Sequence, residues 1–377
     1  MKSILAIGTT CDIKKNLFTG QSIMFDGIVN VASCKYKCDV IDITSVFGDG
    51  LIGKVINYFI VLNKILFKCL THKYSLVYVI TSQSRFGFYR DYLMTSITKL
   101  FGIPAVTHQY GANYHQLLDS LNKKDYERLH KMLDYVFAVI VEGEYMKSQF
   151  SFYKGYESKV KVIPNGLPLE GKHILQTKTY DSTKPFVMFF LSNMIYSKGY
   201  FDVLKAVDIL VNQEKLDIKC VFAGKFMPSA DDSNLKISTK EDFDLFILEH
   251  NLGDRVEYHP GLFGDAKDKY FSQSNVFILP TYYINEGQPV SIIEAMAYGC
   301  VPIVTNYRHI SMMVNDANGC FVKPQSPDSI SFCIKELMQN PSLYANKSQQ
   351  SIIDYQEKFK FEKYATKVLN IFESIIQ

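Results

Sequence analysis

The sequence Pro280-Thr-Tyr-Tyr-Ile-Asn-Glu-Gly-Gln-Pro-Val-Ser-Ile-Ile-Glu-Ala-Met-Ala-Tyr-Gly299 contains a strand-to-helix transition. The apolar run Val276 to Leu279 before it predicts a strand, so the loop leaves the carboxyl end of that strand. Pro289 has a fixed φ that suits the first turn of a helix, and 291–298 is the predicted helix. The amides of a first helical turn have no partner inside the helix, which favours a bound phosphate at this point.

Two acids flank the predicted helix start. Glu286 lies in the loop, next to Gly287, where the missing side chain lets a ligand approach the backbone. Glu294 lies just over one turn into the helix. The spacing alone leaves two interpretations open: two surface acids, or two acids placed around a ligand that crosses the helix N-terminus.

The sequence motif of this stretch distinguishes the two interpretations. Glu-Gly-x-Pro-x-Ser-x-x-Glu-Ala-Met-Ala-x-Gly-x-x-Pro-x-Val, from Glu286 to Val304, resembles the Glu-x7-Glu motif of the retaining glycosyltransferases of family 4, the group 1 glycosyltransferases. The resemblance implies the α/β GT-B fold, in which two doubly wound Rossmann-like domains face each other across a cleft. It also implies an enzyme of the bacterial surface-polysaccharide type.

The whole chain is consistent with two domains. Its 377 residues exceed the length at which one hydrophobic core stops growing. Predicted strands and helices alternate, with six strands in each half, which is typical of parallel sheets covered by helices. We expect an acceptor-binding domain over 1–164, a nucleotide-sugar-binding domain over 165–353 and, by resemblance, a terminal segment 354–377 that packs on the first domain.

Charge is unevenly distributed. Residues up to Pro164 hold 20 Lys and Arg against 13 Asp and Glu, a net of +7, whereas the remainder holds 21 against 25, a net of −4. A basic first half suits an anionic partner such as a phosphorylated lipid or a membrane surface, and the alternative is a solvated face. Nucleic acid is disfavoured because the lysines are not interleaved with aromatic residues in a known binding module.

The eight cysteines lack paired metal-ligand spacing, so reduced thiols are expected. No apolar run is long enough to span a bilayer, and the chain starts directly with a strand rather than a basic and apolar leader. We therefore expect a cytoplasmic protein, with the inner face of the membrane as a further place of action.

Three segments of the first half are candidate ligand contacts. Gly20 lies in the first loop, where a backbone amide could face phosphate and where the family has a glycine-rich loop. Arg85 and Arg90 follow a strand and are candidate acceptor contacts, with a local ion pair as the alternative. Thr107-His-Gln-Tyr-Gly-Ala-Asn-Tyr114 resembles a family loop in which His108 matches the first histidine and Tyr110 replaces the second. His108 is a candidate catalytic residue that binds sugar hydroxyls or positions an acceptor, Tyr110 is a candidate acceptor contact, and a core histidine is the alternative.

The second half carries the closer matches. Leu191-Ser-Asn-Met-Ile-Tyr-Ser-Lys-Gly199 resembles the family pattern Gly-Arg-x-x-x-x-Lys-Gly, which holds diphosphate; Lys198 matches, and Asn193 stands at the arginine position. Leu262 lies where the family pairs backbone groups with the nucleotide base. Arg308 is a candidate phosphate or acceptor contact.

The reaction implied by the resemblance moves a sugar from a nucleotide diphosphate sugar to an acceptor hydroxyl with retention of configuration. Lys198 and the helix amides would stabilise the leaving diphosphate, Glu286 would face the sugar, and Glu294 would bind the ribose. The candidate catalytic residues are Glu286, His108 and Lys198. The candidate donor contacts are Gly20, Asn193, Lys198, Leu262, Glu286, Gly287, Gln288, Pro289, Val290, Ser291 and Glu294, and the candidate acceptor contacts are Arg85, Arg90, Tyr110 and Arg308.

No cofactor and no metal are expected, because lysine and amides neutralise the diphosphate. The expected partners are a nucleotide sugar and a glycan or lipid-linked acceptor. Two alternatives keep the fold: a nucleotide-sugar epimerase or phosphorylase-like enzyme, and a non-catalytic carbohydrate-binding protein. A dinucleotide oxidoreductase is disfavoured because no Gly-x-Gly-x-x-Gly follows the first strand.

Overall fold

The structure is a computed structural model that describes residues 1–11, 19–44, 50–169, 175–227 and 239–376. The chain divides into two units, Met1–Pro168 with Phe361–Gln377, and Leu169–Lys360. Residues 354–360, expected with the terminal segment, group with the second unit, because Tyr355–Phe359 packs against the helix that carries Glu294. Residues 12–18, in the loop that was expected around Gly20, lie outside the described residues. Residues 170–174, near the start of the expected second domain, lie outside them as well.

Unit 1 contains a parallel six-stranded sheet in the order β2-β1-β3-β4-β5-β6. This order reverses direction between β1 and β3, as in doubly wound folds. The strands are β1 Ser3–Gly8, β2 Lys37–Asp42, β3 Leu76–Thr81, β4 Ala105–Gln109, β5 Ala138–Val141 and β6 Val160–Val162. The central strands are almost wholly buried, as expected for a parallel sheet covered on both faces.

Helices fill the connections of unit 1. The helices are α1 Gly20–Ser33, α2 Leu51–Thr71, α3 Arg85–Leu100, α4 Tyr114–Ser120, α5 Lys123–Tyr135, α6 Glu144–Ser148 and α7 Tyr156–Lys159. The sequence analysis placed Gly20 in a loop, but it is the first residue of α1. Thr19 caps that helix by accepting from the Ser22 amide at 3.1 Å, a local signal for a helix start.

Unit 2 repeats the design with the strand order β12-β11-β10-β7-β8-β9. The strands are β7 Phe186–Leu191, β8 Ile218–Ala223, β9 Val256–His259, β10 Val276–Leu279, β11 Val301–Thr305 and β12 Cys320–Val322. The helices are α8 Tyr200–Asp208, α9 Lys240–Glu249, α10 Gly264–Gln273, α11 Val290–Ala297, α12 Ile310–Met313, α13 Pro327–Gln339 and α14 Pro341–Asp354. The predicted six strands per half and the doubly wound α/β class are confirmed.

The last helix, α15 Phe361–Ile376, belongs to unit 1. Its apolar face is buried there, and the Phe372 ring lies 5.2 Å from that of Tyr78 in β3. Lys35 and Glu373 form an ion pair at 2.6 Å between the end of α1 and α15. None of the described helices is both long enough and apolar enough to cross a membrane.

His108 lies inside β4, pairing with Ile80 and Ile140 of the neighbouring strands, and not at a strand end that opens on a ligand. Its side chain is fully buried. Nδ1 lies 2.7 Å from the Tyr78 hydroxyl, and the Tyr110 ring stacks on the imidazole at 4.3 Å. Burial lowers the pKa of His108 to about 3, so the ring is neutral. The core histidine, kept as the alternative, is what the structure contains.

Two glycines allow close backbone approaches at the carboxyl edge of the second sheet. Gly199 has φ +81°, and a Cβ there would lie 2.7 Å from the Pro280 carbonyl oxygen. Gly224 has φ +154°, and a Cβ there would lie 1.8 Å from the Ser192 carbonyl oxygen. Both positions therefore exclude a side chain, by conformation and by space.

We expect Gly224→Ala to destabilise unit 2 by about 2 kcal/mol or more, because the added methyl group must displace backbone in a strained conformation. Gly253→Ala is the matched control, since a Cβ there meets nothing within 4 Å. Urea unfolding followed by circular dichroism gives both values. Equal free energies of unfolding for the two variants would refute the packing argument.

The pKa of His108 predicts acid sensitivity of unit 1. Between about pH 6.5 and 3 the unfolded chain binds a proton that the folded chain does not, so the free energy of unfolding falls as the pH falls through this range. Each pH unit costs about 1.4 kcal/mol per such histidine. His108→Asn should flatten the pH dependence of unfolding between pH 7 and 4.5, whereas His72→Asn, at an exposed histidine, should not. Parallel pH profiles for the two variants would contradict this account.

Candidate active site

Lys198 and Glu286 come from two loops that start at neighbouring strands. The loop after β7 carries Lys198, and the loop after β10 carries Glu286. β7 and β10 are paired, and the strand order of unit 2 reverses direction between them. In doubly wound sheets, ligands bind outside the carboxyl ends of the strands at this reversal. The site lies wholly within unit 2.

The two side chains form a closed ion pair. The Lys198 ammonium donates to both carboxylate oxygens of Glu286, each at 2.7 Å. Only 12% of the lysine side chain and 5% of the glutamate side chain are exposed. The Thr281 hydroxyl donates to Glu286 Oε2 at 2.7 Å, and the Tyr283 ring lies 4.9 Å from the ammonium. The carboxylate is therefore held by two donors, one of which is charged.

Backbone contacts fix the two loops against each other. The Tyr282 amide donates to the Ser197 carbonyl at 2.8 Å, which joins the loop after β10 to the loop after β7. Thr305, the last residue of β11, donates from its hydroxyl to the Thr281 carbonyl. Thr281 is thus anchored on its backbone while its hydroxyl orients Glu286. Thr281 was not predicted, because a threonine after a strand has no distinctive local pattern.

Helix α11 starts beside Glu286. It begins at Val290, one residue before the predicted start, with Pro289 at its N-cap at φ −65°. No side chain caps this end. Ser291 is half-buried in the first turn, and Gln288 is buried just before it. The Ile292 amide donates to the Pro289 carbonyl at 3.1 Å. The positive end of the helix dipole makes this start of α11 a suitable position for an anion.

Glu294, in the second turn of α11, pairs with Lys267 of α10. The glutamate side chain is 8% exposed and that of the lysine 21%. Burial raises the pKa of Glu294, and the charge of Lys267 opposes this shift. Lys267 was not predicted: the pair joins two helices, and no spacing in the sequence connects them.

The other expected donor contacts differ in environment. Asn193 is exposed, and its carbonyl accepts from the Ile195 amide at 2.9 Å. Leu262 follows β9 and is buried. Arg308 follows β11 with φ +47°, and its guanidinium lies 5.2 Å from the Tyr307 ring.

The candidates in unit 1 are engaged in local contacts. Arg90 donates from Nε and Nη2 to Asp91 Oδ1 at 2.8 and 2.7 Å, and Arg85 lies 3.7 Å from Asp125. These are the local ion pairs kept as the alternative. The Tyr110 hydroxyl lies 3.0 Å from that of Tyr364 in α15. The role of these side chains as acceptor contacts stays a prediction.

Among the described residues, no group of three or more histidine, cysteine, aspartate or glutamate side chains is arranged to hold a metal ion. All eight cysteines are free thiols.

Comparisons with known proteins cover both units. Residues 174–359 match the family described as glycosyl transferases group 1. A stretch of 250 residues is 24% identical to an uncharacterized glycosyltransferase of Methanocaldococcus jannaschii, and it covers 62% of this chain and 59% of that relative.

Two solved structures match over nearly their whole lengths. Sucrose-phosphate synthase from Thermosynechococcus elongatus has a TM-score of 0.72 at 14% identity, covering 100% of this chain and 99% of that one. HepE of Anabaena in complex with UDP has a TM-score of 0.73 at 14% identity, covering 99% and 100%. At such identities the likeness shows the fold. The chain therefore has the GT-B fold, and its similarity to the group 1 glycosyl transferases lies in unit 2.

Proposed function

We propose that this protein is a retaining glycosyltransferase that moves a sugar from a UDP- or GDP-sugar to a hydroxyl group of a lipid-linked or polysaccharide acceptor. The observation that carries the proposal is the buried pair Lys198–Glu286 beside the uncapped start of α11. These groups lie at the strand-order reversal, inside the segment that matches the family.

The diphosphate of the donor would take the place of Glu286 as the partner of Lys198. A lysine ammonium and the first-turn amides of α11 together offer one full positive charge and several N–H donors, which match the oxygens of a diphosphate. HepE has been solved with UDP and with UDP-glucose, so uridine nucleotides are the first donors to test. Because lysine and amides neutralise the charge, we propose that transfer needs no divalent metal.

Glu286 would act on the sugar. When the diphosphate leaves, positive charge develops on the ring, and a carboxylate nearby stabilises that charge. The Thr281 hydroxyl keeps the carboxylate oriented after Lys198 has turned to the phosphate. Of the residues first considered for the acceptor, Arg308 stays in the proposal as a phosphate or acceptor contact, since it lies in unit 2 at the end of the neighbouring strand β11.

We expect Glu286→Gln to lower kcat at least about 100-fold while UDP binds within about threefold of wild type, because the amide keeps the shape but not the charge. Transfer to a lipid-linked or polysaccharide acceptor is followed with a panel of nucleotide sugars, with and without EDTA, and NMR gives the anomeric configuration of the product. Glu214→Gln, at an ion-paired glutamate of unit 2 outside the site, is the control.

Four results would count against the proposal. Inversion of configuration would exclude a retaining mechanism, and loss of turnover in EDTA would exclude metal independence. Turnover of donor without any acceptor would indicate the epimerase or phosphorylase-like alternative. Unchanged kcat in Glu286→Gln would remove the proposed role of this carboxylate.

Glu294 is expected to bind the ribose hydroxyls of the donor. A hydrogen bond to a charged group contributes about 1.5–3 kcal/mol, so Glu294→Ala should weaken UDP binding about tenfold or more. The affinity for 2′,3′-dideoxy-UDP, measured by calorimetry, should be the same for Glu294→Ala and wild type. An equal loss for both nucleotides would mean that Glu294 acts on the fold of α11 and not on the ribose.

A further inference from the structure

Helix α2 carries an exposed apolar stripe along its whole length. The large apolar side chains on it are 38–77% exposed: Ile52, Val55, Ile56, Phe59, Leu66, Phe67 and Leu70. Their spacing of three and four residues places them on one side of the helix. The stripe is about 27 Å long at the rise of an α-helix. Asn63 is the one polar side chain within it.

The opposite side of α2 is the part that packs on the sheet. Val61, Ile65 and Cys69 are buried in the core that contains β1 and β3. The stripe is therefore additional to what folding of unit 1 requires. Apolar patches of this size on a folded protein usually mark a surface for another partner.

The charged residues of helices α2 and α3 are mostly basic. Residues 51–101, which span α2 and α3, contain seven Lys and Arg and a single acid, Asp91. Three of the seven are paired with acids: Lys68 with Asp39, Arg85 with Asp125, and Arg90 with the buried Asp91. Lys64 on α2, and Lys73 and Lys99 near the ends of the two helices, are exposed.

We propose that α2 binds flat on an anionic lipid bilayer, with its apolar stripe among the acyl chains and its lysines at the headgroups. An apolar face with flanking lysines and aromatic residues is the pattern of a helix that lies in the membrane interface. A second copy of the chain fits less well, because a contact between two such stripes would bring the lysines of both copies together without acids to balance them.

The test uses the whole protein and vesicles. Wild type is expected to co-sediment with vesicles of phosphatidylcholine and phosphatidylglycerol, less with phosphatidylcholine alone, and less as salt is added, because salt screens the lysines. The triple variant Phe59→Ser, Phe67→Ser, Leu70→Ser should bind at least about tenfold more weakly, since binding scales with the apolar area inserted. Thermal unfolding followed by circular dichroism checks that it is folded.

The matched control is Leu245→Ser, Leu248→Ser, Phe332→Ser, which removes three exposed apolar side chains from unit 2. It should bind vesicles like wild type. Lys64→Glu provides a second test that leaves the stripe intact, with a loss specific to anionic vesicles.

The proposal is overturned if wild type does not bind anionic vesicles at low salt, or if the α2 triple variant binds them as well as the control. It is also overturned if sedimentation equilibrium finds a dimer that the α2 variant converts to a monomer while no vesicle binding occurs. Vesicle binding does not depend on sugar transfer, so the result stands apart from that for the proposed reaction.

Discussion

The strand order of unit 2 is the constraint on which the candidate site depends. β7 and β10 are neighbours in the sheet, yet the chain continues from one towards β8 and from the other towards β11. Two loops separated by 88 residues therefore leave the same point of one sheet edge, and Lys198 meets Glu286 there. The approach is close enough that Gly199 has no room for a side chain beside Pro280.

Burial decides what the Lys198–Glu286 pair can do. Removing one partner of a buried ion pair costs about 3–5 kcal/mol, although the intact pair contributes little net stability because desolvation offsets attraction. A buried lysine intended for an anionic ligand therefore needs a counter-charge while the ligand is absent. Glu286 supplies that charge. In the proposed reaction the diphosphate takes its place beside Lys198, while the carboxylate stays buried and held by the Thr281 hydroxyl. The same exchange leaves the carboxylate free to face developing positive charge.

The local sequence pattern was sufficient to predict most strands of unit 2. The strand Val276–Leu279 was predicted to the residue, because it is a continuous apolar run between Asn275 and Pro280. The pairing of Glu294 with Lys267 was not predictable in this way. It depends on the packing of α10 beside α11, and neither side chain differs in sequence from a solvated one.

The same limit explains the errors in unit 1. The segment 107–114 was expected to be a loop, but pairing on both sides continues β4 to Gln109 and carries His108 into the core. Tyr364, 254 residues beyond Tyr110, then closes the cluster from α15. The terminal segment was expected to pack on the first domain, whereas its individual contacts were not predictable, because only the folded chain brings these rings together. Tyr110 is thereby held by α15, whereas Arg85 and Arg90 pair with Asp125 and Asp91, two acids of unit 1.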